Sequence, residues 1–218
     1  MTILYLHGIG SGKGSRTVTE LRREFPDATI LDPELPARPA EAIRFIEDKY
    51  MCNPSIDLVI GTSLGGFYAM TLPMVKKILI NPAMFADEDI RTAVGMGKHE
   101  FLKPRSDGAT EYMVDEEFIN ELKAIRDRIY RNVERHADAE NAGKLDHNVL
   151  NETYALFGTG DVVVSHYDDF CRLLLPEHAF RFDGEHRLTT ENIHEHLIPL
   201  VKKVLEEPVS YAFIMDFD

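Results

Sequence analysis

The chain has 218 residues, a length that fits one domain of ordinary to large size or one domain with an insertion. Apolar residues make up 44% and charged residues 28%, which excludes disordered, collagen and coiled-coil classes for the chain as a whole. Asp plus Glu number 37 and Lys plus Arg 24, so the net charge is −13. A field of that sign repels phosphate backbones and anionic lipid surfaces, so we expect neither nucleic acid nor membrane as a partner.

The cysteine content and the N-terminus both bear on the compartment. Two isolated cysteines, Cys52 and Cys171, are too few for a disulfide framework and favour a reducing environment. The first apolar run stops after about five residues, too short for the apolar segment of a signal peptide. No window approaches the length of a membrane span. We therefore expect a cytoplasmic protein.

Short apolar runs alternate with helical patterns along most of the chain. Strands are predicted at 3–6, 29–31, 57–60 and 77–80, and helices at 16–25, 40–50 and 64–72. After an interruption, strands are predicted at 153–157 and 179–182, and helices at 165–174 and 190–205. This alternation predicts a single α/β domain over residues 1–218, in which helices cover both faces of a mostly parallel sheet.

Residues 84–150 interrupt the alternation, with few strand candidates and many charges. We predict that they form a helical, lid-like insertion. The segment Asp115–Arg135 reads as one long helix, because apolar residues recur at spacings of three and four. That apolar stripe fits a lid over a pocket and an ordinary packed helix equally well. The tail 209–218 has no helical period. The sequence allows three interpretations of it: an edge strand, an oligomer contact or a disordered end.

The segment Gly61-Thr62-Ser63-Leu64-Gly65 matches the pattern G-x-S-x-G between a buried strand and a helix. The turn is so tight that the serine takes a strained backbone conformation. Side chains two positions to either side would then collide, so both positions call for glycine. The helix N-terminus favours developing negative charge near the serine. The pattern therefore predicts Ser63 as a nucleophile, the alternative being a plain glycine-rich turn.

The loop His7-Gly8-Ile9-Gly10 follows the first strand and is expected beside the serine turn. The backbone N–H groups of Ile9 and Leu64 are the candidate donors of an oxyanion hole. In an α/β fold of this kind the catalytic base follows the nucleophile along the chain, whereas His7 precedes Ser63. We therefore interpret His7 as a loop-shaping residue. The glycines of this loop fit neither of the two common nucleotide-binding patterns, so nucleotide binding is not expected.

A serine hydroxyl needs a base, and the base needs an acid to orient it. His186 follows the last predicted strand, and Asp161 ends the loop after the strand at 153–157. In an α/β fold of this kind, the nucleophile, the acid and the base each follow a strand and occur in that order along the chain. Ser63, Asp161 and His186 have this order. Weaker candidates lie in the next helical segment: His166 for the base, and Asp168 and Asp169 for the acid.

Four motifs together resemble the α/β-hydrolase superfamily: His7-Gly8, Gly61–Gly66, Gly158–Asp161 and Gly184–His186. Within it, the short N-terminus ending in Leu6-His7-Gly8 and the segment Ile80–Ala83 resemble the small bacterial YqiA-type esterases. The resemblance covers residues 1–83 and about 151–205. It implies a three-layer α/β/α sandwich and hydrolysis of short acyl esters.

These observations predict a serine hydrolase without metal or other cofactor that cleaves a carboxylic ester or thioester of a small substrate through an acyl-enzyme. Two alternatives stay open. The same triad serves an acyltransferase, and a hydrolase-like chain without activity can bind a ligand or partner. The sequence does not indicate the acyl length, the leaving group or whether the protein forms a homodimer.

Overall fold

The computed structural model of the protein describes residues 1–50, 55–73, 75–131 and 152–207. The strands are β1 (Thr2–Leu6), β2 (Thr29–Leu31), β3 (Leu58–Thr62), β4 (Lys76–Ile80), β5 (Gly97–Glu100), β6 (Glu111–Val114), β7 (Thr153–Gly158) and β8 (Ala179–Phe182). The helices are α1 (Arg16–Glu24), α2 (Pro39–Tyr50), α3 (Leu64–Ala69), α4 (Ala86–Asp89), α5 (Glu116–Ile129), α6 (Tyr167–Leu173), α7 (Thr190–Asn192) and α8 (Ile198–Glu206). A π-helical turn, Ile90–Val94, extends α4, and another, Ile193–Leu197, joins α7 to α8.

Six strands form one sheet in the order β2-β1-β3-β4-β7-β8, and every neighbouring pair is parallel. Successive side chains of a strand point to opposite faces, and both faces of this sheet are covered. Leu4 and Leu6 pack with α2, α3, α5 and α6 on one face. Ile3 and Tyr5 pack with α1 and α8 on the other. The expected three-layer α/β/α sandwich is confirmed.

Part of the segment 84–150 folds as strand, contrary to the prediction of a helical insertion. β5 and β6 pair antiparallel, with Gly97 opposite Val114 and Glu100 opposite Glu111. The strands are short and alternate between exposed and less exposed residues, so they lack the apolar run by which the central strands are recognised. The described part of this segment therefore consists of α4 with its π-helical turn, a β-hairpin and α5.

The long helix predicted at 115–135 is shorter than expected. Asp115 caps it, accepting a hydrogen bond from the amide of Phe118, and Tyr130 ends it. α5 packs against α2 and α4, and Phe118 and Leu122 are fully buried there. Of the two interpretations, α5 itself matches the ordinary packed helix. Residues 132–135 and the tail 209–218 lie outside the described residues.

The C-terminal pattern is confirmed from Thr190 onward. Thr189 caps α7, and Thr189 and Asn192 form a capping box. The apolar side chains of α8 pack beneath the sheet. No helix in the described ranges is long and apolar enough to cross a membrane.

Candidate active site

Ser63 lies between β3 and α3 in a backbone conformation that side chains rarely adopt, with φ 54° and ψ −120°. The two flanking glycines are sterically required, as the sequence predicts. A Cβ on Gly61 would lie 2.4 Å from the carbonyl oxygen of Gly65, and a Cβ on Gly65 would lie 2.1 Å from that of Leu6. The strand-to-helix turn is therefore packed backbone against backbone, which fixes the position of Ser63.

The loop after β1 lies directly against this turn. A Cβ on Gly8 would be 3.3 Å from Cβ of Ser63 and 3.8 Å from its Oγ. Leu64 is the first residue of α3, where backbone N–H groups have no partner within the helix. Ile9 lines the same cavity as Ser63. Of the two candidate oxyanion-hole residues, Leu64 thus directly follows the serine, and Ile9 lies on the wall of the same cavity.

Asp161 and His186 meet at the carboxyl edge of the sheet, on the loops that follow β7 and β8. Nδ1 of His186 lies 2.8 Å from Oδ2 of Asp161. The other carboxylate oxygen accepts hydrogen bonds from the amides of Val163 and Val164. The Asp161 side chain is 2% exposed and that of His186 is 18% exposed, so the carboxylate is enclosed while the imidazole still faces the cavity.

A cavity of about 910 Å³ opens at this edge, and both Ser63 and His186 line it. Much of its wall is apolar, formed by Ile9, Ile80, Ala83, Ile90, Val94, Tyr112, Val164 and Leu188. Val162, Val163 and Leu102 are exposed at its margin. Pockets of this size and lining suit a small organic ligand. Of the lysine and arginine side chains between β5 and β6, Lys103 lines the cavity, whereas Arg105 pairs with Asp107; Lys98 of β5 pairs with Glu111.

His7 has the loop-shaping position that the sequence suggests. It is buried, its Nδ1–H donates to the carbonyl oxygen of Gly8, and its Nε2 accepts from the amide of Leu35. Burial lowers the pKa of His7 below its ordinary value of 6.5, despite the opposing effect of the bond to Gly8. A neutral imidazole therefore links the loop after β1 to the loop after β2.

The weaker candidates for the base and the acid have other interaction partners. Nε2 of His166 lies 2.8 Å from Asp89 and its Nδ1 lies 3.0 Å from Asp169, so neither nitrogen of His166 is available to a serine. Burial lowers the pKa of His166, but hydrogen bonds to the two carboxylates outweigh it and the net shift is upward. Asp168 is exposed and lies 3.9 Å from Arg181.

Sequence reasoning missed the β-hairpin that supplies part of the cavity wall. Glu100 of β5, Tyr112 of β6, and Leu102 and Lys103 of the hairpin turn line it. The amide of Leu102 donates to the carbonyl oxygen of Gly10, which joins the turn to the loop after β1. The one signal in the sequence is the glycines of this segment, Gly95, Gly97 and Gly108, which indicate loops but do not show which strands pair.

Several solved structures share this architecture. A monoacylglycerol lipase from Paleococcus ferrophilus matches with a TM-score of 0.58 at 13% identity, covering 94% of this chain and 93% of that one. The mouse alpha/beta hydrolase domain-containing protein 10 matches with a TM-score of 0.61 at 15% identity, covering 94% and 89%. An esterase domain of a Rhodothermus marinus protein matches with a TM-score of 0.52 at 16% identity, covering 93% and 86%. The sheet order, the serine turn and these likenesses define an α/β-hydrolase fold.

The sequence also matches one family pattern over residues 2–201. The chain belongs to this family, the YqiA-type family described as uncharacterised protein family UPF0227. The matched span runs through the segment 84–150, where the sequence motifs carry no resemblance of their own.

Proposed function

We propose that the protein is a serine hydrolase that cleaves a carboxylic ester or thioester of a small substrate through an acyl-enzyme intermediate. One observation carries the proposal: the His186–Asp161 hydrogen bond of 2.8 Å faces a cavity that is also lined by Ser63 in its strained turn. A serine on such a turn, a histidine and a buried carboxylate are the parts that acyl transfer to serine requires.

In this mechanism the imidazole of His186 takes the hydroxyl proton of Ser63 while Oγ bonds to the carbonyl carbon of the substrate. Asp161 orients the ring through Nδ1–H and stabilises the imidazolium. The amides of Leu64 and Ile9 donate to the tetrahedral oxyanion. His186 then gives its proton to the leaving alcohol or thiol, and the acyl group remains on Ser63.

Water completes the cycle by the same route. His186 takes a proton from the water as its oxygen bonds to the acyl carbon, and returns a proton to Oγ of Ser63 as the acid leaves. The apolar part of the cavity wall suits the acyl or alcohol portion of a small substrate. A small-molecule ester is therefore the proposed substrate.

The test is hydrolysis of a short nitrophenyl ester by wild type and by Ser63→Ala, together with labelling by a fluorophosphonate probe. We expect wild type to hydrolyse the ester and to be labelled at Ser63, and Ser63→Ala to do neither while keeping its thermal unfolding curve. Activity retained in Ser63→Ala would contradict the mechanism. A folded wild type that neither hydrolyses esters nor takes the probe favours a binding protein, and product formation on an added acyl acceptor favours a transferase.

A further inference from the structure

The turn that follows β4 contains a buried polar residue that the proposed catalytic mechanism does not use. Asn81 is 1% exposed and adopts φ 43°, in the left-handed region that asparagine tolerates better than most residues. Its amide donates to the carbonyl oxygen of Leu156, which continues the pairing of β4 with β7 by one residue. The conformation turns the side chain into the space between the loops that follow β7 and β8.

The side chain of Asn81 bonds to both of these loops. Its Oδ1 accepts, at 2.8 Å, from the amide of Gly158, the last residue of β7, where the loop to Asp161 begins. Its Nδ2 donates to the carbonyl oxygens of Glu185, at 3.2 Å, and His186, at 2.9 Å. An asparagine amide has an acceptor and two donor hydrogens, and all three of these capacities are engaged.

The same turn contacts the nucleophile through its main chain. The amide of Ser63 donates to the carbonyl oxygen of Ile80 at 2.9 Å, and the carbonyl oxygen of Ser63 accepts from the amide of Ala83 at 3.2 Å. Residues on either side of Asn81 therefore fix Ser63, while Asn81 itself fixes the loops that carry the other two triad residues.

The acid loop and the base loop are also joined to each other without Asn81. The amide of Gly160 donates to the carbonyl oxygen of Gly184 at 2.9 Å, and that of Thr159 donates to Phe182 at 2.9 Å. Asp161 and His186 therefore sit on a connected pair of loops. Asn81 connects this pair to the turn that contacts Ser63.

We propose that Asn81 is a positioning residue of the catalytic triad, which sets the placement of the Asp161–His186 pair relative to Ser63. The inference rests on the proposed function, since it assigns Asn81 a part in the same reaction. A buried amide whose oxygen and both N–H groups are engaged is rigid, and misplacing a catalytic group by about 1 Å costs about 10²-fold in rate. Asn81 does not line the cavity, so its effect falls on the chemical step rather than on substrate binding.

The experiment compares wild type with Asn81→Gly and Asn81→Asp in ester hydrolysis and in the rate of fluorophosphonate labelling. Glycine accepts the positive φ and removes all three side-chain bonds. Aspartate keeps the shape and the acceptor but turns an oxygen toward two carbonyl oxygens. We expect kcat and the labelling rate to fall about 10²-fold in both variants, with KM unchanged. If Asn81→Gly does not fold, Asn81→Asp gives the same comparison.

The matched control is Lys77→Met, in the same strand but at its opposite end. Lys77 is fully buried and its Nζ donates to the carbonyl oxygen of Val75, so the variant removes a buried polar contact of the same strand away from the triad. Rates are expressed per labelled site to correct for unfolded protein. A kcat near that of wild type in both Asn81 variants, a change in KM alone, or an equal fall in Lys77→Met overturns the inference. Activity retained in Ser63→Ala instead overturns the proposed function, so the two failures are distinct.

Discussion

Asp161 contacts His186 with one carboxylate oxygen and the amides of Val163 and Val164 with the other. The acid is thus fixed by its own loop before it meets the imidazole. Its side chain is almost fully enclosed, so the interaction with Nδ1–H is shielded from water. The geometry favours one tautomer of His186, in which the nitrogen facing away from Asp161 is free to accept a proton.

We expect Asp161→Asn to abolish the preference for this tautomer of His186 with little change in the shape of the side chain at position 161. The amide presents a donor or a weaker acceptor to Nδ1, so the wrong tautomer gains population, and we expect kcat to fall by about 10³–10⁴-fold. Asp168→Asn is the matched control, since that carboxylate is exposed on α6. Steady-state kinetics on one ester measure both, and an equal effect in the two variants would contradict the role of Asp161.

Gly65→Ala should prevent the serine turn from forming. The added Cβ would lie 2.1 Å from the carbonyl oxygen of Leu6 and 2.7 Å from that of His7, and backbone atoms there have no room to move. We expect a loss of stability of about 3 kcal/mol or more, or no folded protein. Gly12→Ala is the control, because a Cβ at Gly12 meets nothing within 4 Å. Chemical denaturation curves separate the two, and similar curves would be the contrary result.

The serine turn and the triad loops were predictable because local rules determine them. Apolar runs reveal buried parallel strands, and a tight turn after β3 demands glycine at Gly61 and Gly65. The hairpin and Asn81 were not predictable in this way. The pairing of β5 with β6 depends on where two polar segments meet, and the bonds of Asn81 join residues 77 to 105 positions apart. Such relationships follow from tertiary packing, not from spacing along the chain.

His166 should stabilise the fold at acidic and neutral pH and lose this effect in alkali. The pKa of His166 is raised above its ordinary value of 6.5, so the folded protein binds this proton more tightly than the unfolded chain. The contribution is complete below pH 6.5 and is lost as the pH rises through the raised pKa. We expect His166→Gln to be less stable than wild type by about 1–3 kcal/mol at pH 5.5. The gap measured by denaturation should narrow toward pH 9, and a constant gap would contradict this.

We expect His7 to change the pH dependence of stability in the opposite direction to His166. Burial lowers the pKa of His7, so the unfolded chain takes up a proton before the folded protein does. Its stabilising effect is present above pH 6.5 and is lost as the pH falls through the lowered pKa. In His7→Asn, which cannot be protonated, we expect lower stability at pH 8 but a shallower decline between pH 6.5 and 5. Parallel declines in wild type and variant would show that His7 is not the group responsible.

Arg105 should determine how firmly the hairpin is held at the wall of the cavity. Its side chain is 5% exposed, donates to the carbonyl oxygen of Leu35 at 3.1 Å, and ion-pairs with Asp107 at 2.7 Å. Arg105→Ala removes a link between the hairpin turn and the loop after β2, so residues that line the cavity become less ordered. We expect KM to rise about tenfold with kcat little changed, because Arg105 does not reach the triad. Lys98→Ala is the control, since Lys98 is exposed on the same hairpin and pairs with Glu111 within it. A lower kcat with unchanged KM in Arg105→Ala would instead mean that the hairpin acts on the chemical step.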